Sequence, residues 1–162
     1  MNRILANEVE DDFFLYALDL IHHAAAVSRI FWPPASRNKK STKRAHRRGQ
    51  ALRDMLFLES GHPVQNRSLR DHFEHFDERL DDWAESSRNR NIVFRLLGPA
   101  TLIGGDAIDA RDIIYHYDPA IKIFGFRGEH FDIQALASGL SDIYAKTNEK
   151  LSQLENRRFF GA

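Results

Sequence analysis

At 162 residues, with 43% hydrophobic and 28% charged content, the chain has the make-up of one globular domain with a real core, read as a single unit over 1–162. Twelve Phe against five Pro exclude a disordered chain, and the lack of cysteine excludes disulfides and thiolate metal sites. Net charge is zero but uneven: no acid and nine Lys or Arg between Leu20 and Arg53, then seven acids and one Arg between Asp71 and Glu85.

The opening stretch MNRILANEVEDD turns acidic where a secretory signal would continue apolar, and no apolar run approaches the roughly 20 residues needed to span a bilayer. A cytoplasmic protein without membrane attachment is expected. Residues 7 to 32 read as a long first helix. Glu8, Glu10, Asp11 and Asp12 sit at its start, where the helix dipole favours them. Val9, Phe13, Tyr16, Ala17, Leu20, Ala24, Val27 and Phe31 follow the helical period, and Phe14, Leu18, Ile21, Ala25 and Ile30 widen the apolar face. So broad a face suits the centre of a bundle or a dimer interface. Pro33-Pro34 ends the helix.

Residues 35 to 43 form a polar connection. A second helix is expected from about Thr42 to Glu59, with an apolar stripe mostly in its second half and a basic first half. Gly61-His62-Pro63 breaks it. The third helix runs from an N-cap at Asn66 or Ser68 to about Ser87, with Leu69, Phe73, Phe76, Leu80 and Trp83 on one stripe. From Asn91 the period changes. NIVFRLL reads as a strand or tight extended segment, Gly98-Pro99 and Gly104-Gly105 punctuate a loop, and Asp112–Tyr117 and Ile121–Phe126 form a hairpin around Asp118-Pro119. The β element covers about 91–130. The last helix is expected over about Ile133 to Arg157, capped by Asp132 and stapled by Phe131 and Leu136. The fold class is therefore mainly α: a four-helix bundle with a small β-hairpin inserted between helices 3 and 4.

Chemistry-bearing residues gather on the third helix, in Arg70-Asp71-His72-Phe73-Glu74-His75. RNA can be cut by its own 2′-hydroxyl, which requires proton transfer near neutral pH and a cation on the phosphate; histidine and arginine supply these. The segment resembles the R-x4-to-6-H motif of the HEPN superfamily. Its members are helical bundles, commonly dimers, and often metal-independent ribonucleases of toxin–antitoxin and defence systems. The resemblance implies that Arg70 would hold the scissile phosphate, that His75 would act as general acid or base, and that Asp71 would support them. It also implies a homodimer, an RNA substrate, a cognate antitoxin or other protein partner, and no metal or cofactor. Asp71 stands where the family more often has Asn or His, and Glu74 directly precedes the histidine.

A second reading stays open. Arg70–Glu74 and Asp71–His75 also fit exposed i,i+4 pairs on a helix whose role is dimerisation or partner binding without catalysis. His22-His23 with His72 and His75 invites a metal between helices. However, adjacent histidines point about 100° apart, and satisfied polar groups at a helix seam are commoner. The basic run Lys39, Lys40, Lys43, Arg44, Arg47 and Arg48 is the expected nucleic-acid-binding surface, with Phe31 and Trp32 as candidate base-stacking residues. The same run also reads as a solvated helix face.

Overall fold

The computed structural model describes residues 2–66, 68, 71, 75–88, 90–103 and 108–160. Among these the fold is mainly helical. Four α-helices occur: α1 (Asn2–Phe31), α2 (Lys39–Met55), α3 (Phe76–Ser86) and α4 (Ile133–Phe160). A four-stranded mixed sheet stands between α3 and α4, with strands β1 (Val93–Leu97), β2 (Ile113–Asp118), β3 (Ile123–Phe126) and β4 (Glu129–Phe131) in that order. No helix among the described residues is long and apolar enough to cross a membrane.

The expected hairpin exists as the antiparallel pair β2–β3, with Tyr115 opposite Phe126 and Tyr117 opposite Phe124. It is the centre of a larger sheet. NIVFRLL supplies β1, which runs parallel to β2, and Glu129–Phe131 adds β4 to the free edge of β3. Phe131 is thus half of a ladder pair with Phe124, just ahead of the last helix. The turn follows the local chemistry of its residues: Asp118 Oδ1 accepts the Ala120 N–H at 2.9 Å, and the Asp118 carbonyl accepts the Lys122 N–H at 2.7 Å.

Helix ends differ more than helix positions. α1 starts five residues before residue 7, because nothing between Asn2 and Ala6 breaks a helix. Its acids therefore fall outside the first turn, where the dipole argument does not reach. α2 starts at Lys39, since the Asn38 side chain accepts the N–H groups of Lys40 and Ser41 at 3.0 and 3.1 Å. It ends at Met55, four residues early: Phe57 takes a left-handed φ of 51° and is exposed. The breaker at Gly61-His62-Pro63 leads into a short 3-10 turn, Pro63–Gln65.

The chain divides into two compact units. One comprises the described residues of 1–22 and 68–134; the other those of 23–67 and 135–162. The first is a sheet unit with an aromatic core. Phe14, Ile114, Phe124 and Phe126 are fully buried, and Tyr115 is buried beside them. Phe76 of α3 stacks on Tyr115 at 6.3 Å and meets Phe94 and Phe126 edge-on. The second unit is helical and mostly aliphatic: Phe31, Leu56, Val64 and Ile143 are buried, with Val27, Leu52, Leu136 and Leu140 packed on them. On α1 the buried line is Phe14, Ala17, Ile21, Ala24, Ala25 and Phe31, while Tyr16 and Ile30, assigned inward from the period, face solvent.

Candidate functional site

In the helical unit, α2 lies directly against the end of α1. A Cβ at Gly49 would stand 2.5 Å from the Phe31 carbonyl oxygen and 2.8 Å from Pro33 Cδ, so only glycine allows this approach. Gly49 fixes which side of α2 faces inward. The opposite side carries Lys39, Lys40, Lys43, Arg44, Arg47 and Arg48, all six of them exposed. They form two ridges at i, i+4, i+8: Lys39–Lys43–Arg47 and Lys40–Arg44–Arg48. Successive members rise about 6 Å along the axis. Among the described residues none of the six makes an ion pair or a side-chain hydrogen bond, so their charge is not neutralised within the unit.

The first ridge ends at a groove of about 510 Å³ lined by Trp32, Pro33, His46, Arg47, Gln50, Arg53 and Gln65. Trp32 is half-buried in its wall. Its indole stacks with His62 at 5.5 Å, and the Arg53 guanidinium lies 5.8 Å from the ring centroid. Arg53 is itself fixed, with donors to the Phe31 carbonyl and to Gln50 Oε1. His62 is held too: its Nδ1 accepts the Val64 N–H at 3.3 Å, which places the proton on Nε2, 3.5 Å from Asp142. A hydrogen bond from Lys146, then that from His62, holds the Asp142 carboxyl below its usual range. Of the two aromatics expected to stack on bases, Trp32 lines the groove, whereas Phe31 is 7% exposed and belongs to the core. Sequence reasoning also missed Gly49, His46, Gln50 and Gln65. An isolated glycine inside a helical pattern was the available signal for the first.

In the sheet unit, the Arg70–His75 motif is described only in part. Arg70, His72 and Glu74 lie outside the described residues, as do Leu69 and Phe73 of the expected stripe. Asp71 is helical and exposed. The helix expected to run unbroken to Ser87 is interrupted at His75, which is the N-cap of α3 with φ −115° and ψ 37°. Its N–H donates to the Asp71 carbonyl at 3.2 Å, and its carbonyl accepts the Arg79 N–H at 3.1 Å. Of the two proposed N-caps, Ser68 is already helical, and Asn66 follows the 3-10 turn Pro63–Gln65.

The His75 imidazole is 54% exposed, with Nδ1 3.2 Å from Glu78 Oε1. A carboxylate on Nδ1 selects the tautomer that leaves Nε2 as the base. Asp77 and Glu78 occupy the first turn of α3, where the dipole favours them. Further along, Arg79 pairs with Asp82, and the Trp83 indole N–H donates to buried Asp112 and to the Asn91 carbonyl. Phe76, Leu80 and Trp83 are only half-buried. His22 and His23 are exposed on α1, and no group of three metal-ligating side chains converges among the described residues. Comparison with protein-family models, with characterised proteins and with solved structures finds no match.

Proposed function

We propose that this chain is a HEPN-like, RNA-acting helical-bundle protein that holds RNA on the basic face of α2. In this reading it is a metal-independent endoribonuclease of a toxin–antitoxin or defence system. The observation that carries the RNA reading is the pair of exposed cation ridges on α2, unneutralised by any described residue and running toward an aromatic groove wall. Cations spaced along one helix face suit a phosphate backbone, with affinity arising from counterion release. For the chemistry, Arg70 would hold the scissile phosphate, Asp71 would support it, and His75 would move the proton through Nε2. Exposure of His75 and its contact with Glu78 support that assignment. An RNA-cleavage assay with chelator present tests it. Arg70→Ala and His75→Ala should each abolish cleavage while circular dichroism stays unchanged; full cleavage by both variants would discard the catalytic assignment.

A second reading, a non-enzymatic dimerisation or interaction module, is favoured by a different observation. An apolar groove of about 460 Å³ opens between α1, α2 and α4, and Ile30, Met55, Tyr144, Leu151 and Leu154 at its walls are exposed. Sedimentation separates the two. A dimer that Leu151→Glu splits without changing RNA cleavage makes this face the self-association surface of a nuclease. A dimer split in a protein that never cleaves RNA favours the interaction module.

A further inference from the structure

We infer that the groove beside Trp32 is a nucleotide-binding site, taking the base against the Trp32–Arg53 wall and the phosphate on Arg47. This goes beyond the basic face of α2 as an RNA surface, with which it shares Arg47 and the Trp32 wall. Three features of the groove point to this ligand class. The wall is an indole with a guanidinium held over it, and a planar guanidinium so held is a surface on which a base can stack. That wall is preorganised. His62 stacks on the indole, and Arg53 is fixed by the Phe31 carbonyl and Gln50, so binding would not have to order it. The rim then offers polar groups of the right kinds: Arg47 and His46 for an anion, Gln50 and Gln65 for base or ribose edges. Neither Arg47 nor His46 has a partner among the described residues. At about 510 Å³ the groove falls within the range of roughly 300–1,000 Å³ usual for small-ligand sites.

A free nucleotide and one nucleotide of an RNA strand present the same chemistry here, and the test separates them. The chain has two tryptophans, so two indole N–H signals appear in a nitrogen–proton correlation spectrum, and Trp32→Phe assigns one. AMP, adenosine, ribose 5-phosphate and a 2′-O-methyl RNA tetranucleotide are titrated in turn. AMP should move the Trp32 signal and leave that of Trp83 in place, with adenosine and ribose 5-phosphate at least tenfold weaker because each lacks half of the recognised group. A shift with the tetranucleotide but not AMP supports the site as one for a nucleotide within a strand. Arg47→Gln, a surface change that leaves the fold intact, should weaken the responding ligand about tenfold. No shift with either AMP or the tetranucleotide, or undiminished affinity in Arg47→Gln, overturns the inference. A tetranucleotide that binds by anisotropy without moving Trp32 overturns it too while leaving the RNA reading standing. AMP binding with no RNA binding does the reverse.

Discussion

The two compact units handle their polar and apolar groups in opposite ways. The sheet unit turns inward. Phe14, Phe124, Phe126 and Tyr115 are buried on one another, and on α3 His75 meets Glu78 and Arg79 meets Asp82. Even Trp83 spends its N–H on a buried carboxylate. The helical unit turns outward. It leaves two cation ridges unmatched among the described residues, an apolar groove open and a polar groove beside Trp32. Groups already satisfied within a fold gain little from a ligand, whereas unmatched charge and exposed apolar surface gain much. The proposed roles follow that division: RNA and nucleotide on the helical unit, proton transfer at His75 in the sheet unit.

The largest effect expected from that contrast is on RNA affinity. Replacing Lys39, Lys43 and Arg47 together by Glu should weaken single-stranded RNA binding by about a hundredfold or more. The plot of log affinity against log salt should flatten by about two units, near 0.7 for each lost phosphate contact. Filter binding at several salt concentrations measures both. An equal loss from Asp81→Lys with Asp82→Lys on α3 would break the contrast. The next effect belongs to the inward-turned unit. Burial pushes the Tyr115 phenol up to about 12, against the opposing pull of Arg95. The folded protein thus favours the neutral phenol. Its contribution to stability is complete below pH 10 and is lost as pH rises through 12, on the order of 2–3 kcal/mol in all. Urea titrations from pH 9 to 12 should show this decline in the wild type and a flatter one in Tyr115→Phe.

What the sequence made legible follows from how local each feature is. The four helices and the β2–β3 hairpin rest on periodicity and turn residues, so the order of residues alone places them. Strand β4 is not legible in that way, because Glu129–Phe131 is three residues long and becomes a strand only by pairing with β3. The interruption at His75 is equally hidden, since the apolar spacing from Leu69 to Trp83 runs through it without a break. The six cations of α2 are legible as one charged face because they sit on one helix. The groove they lead to is not. Trp32, His46 with Arg47, and Gln65 come from three segments, and only the approach allowed by Gly49 brings them together.

Two smaller effects probe that approach. Gly49→Ala sets a methyl against backbone that cannot swing aside, the Phe31 carbonyl at 2.5 Å. Overpacking of this kind costs about 1–3 kcal/mol, offset by up to about 1 kcal/mol from alanine's better helix propensity. The net loss should appear as a lowered thermal midpoint, together with a displaced Trp32 indole signal, because α2 must move off the groove wall. Asn38→Ala acts at the other end of the same helix and removes only the cap on Lys40 and Ser41. Its cost should be about 1 kcal/mol, with Lys39 and Lys40 fraying into solvent and the Trp32 signal unmoved. Hydrogen exchange at the first turn of α2 reads the fraying directly. If Asn38→Ala displaced the Trp32 signal as far as Gly49→Ala, α2 would be held by its cap, and the close packing at Gly49 would not be what builds the groove.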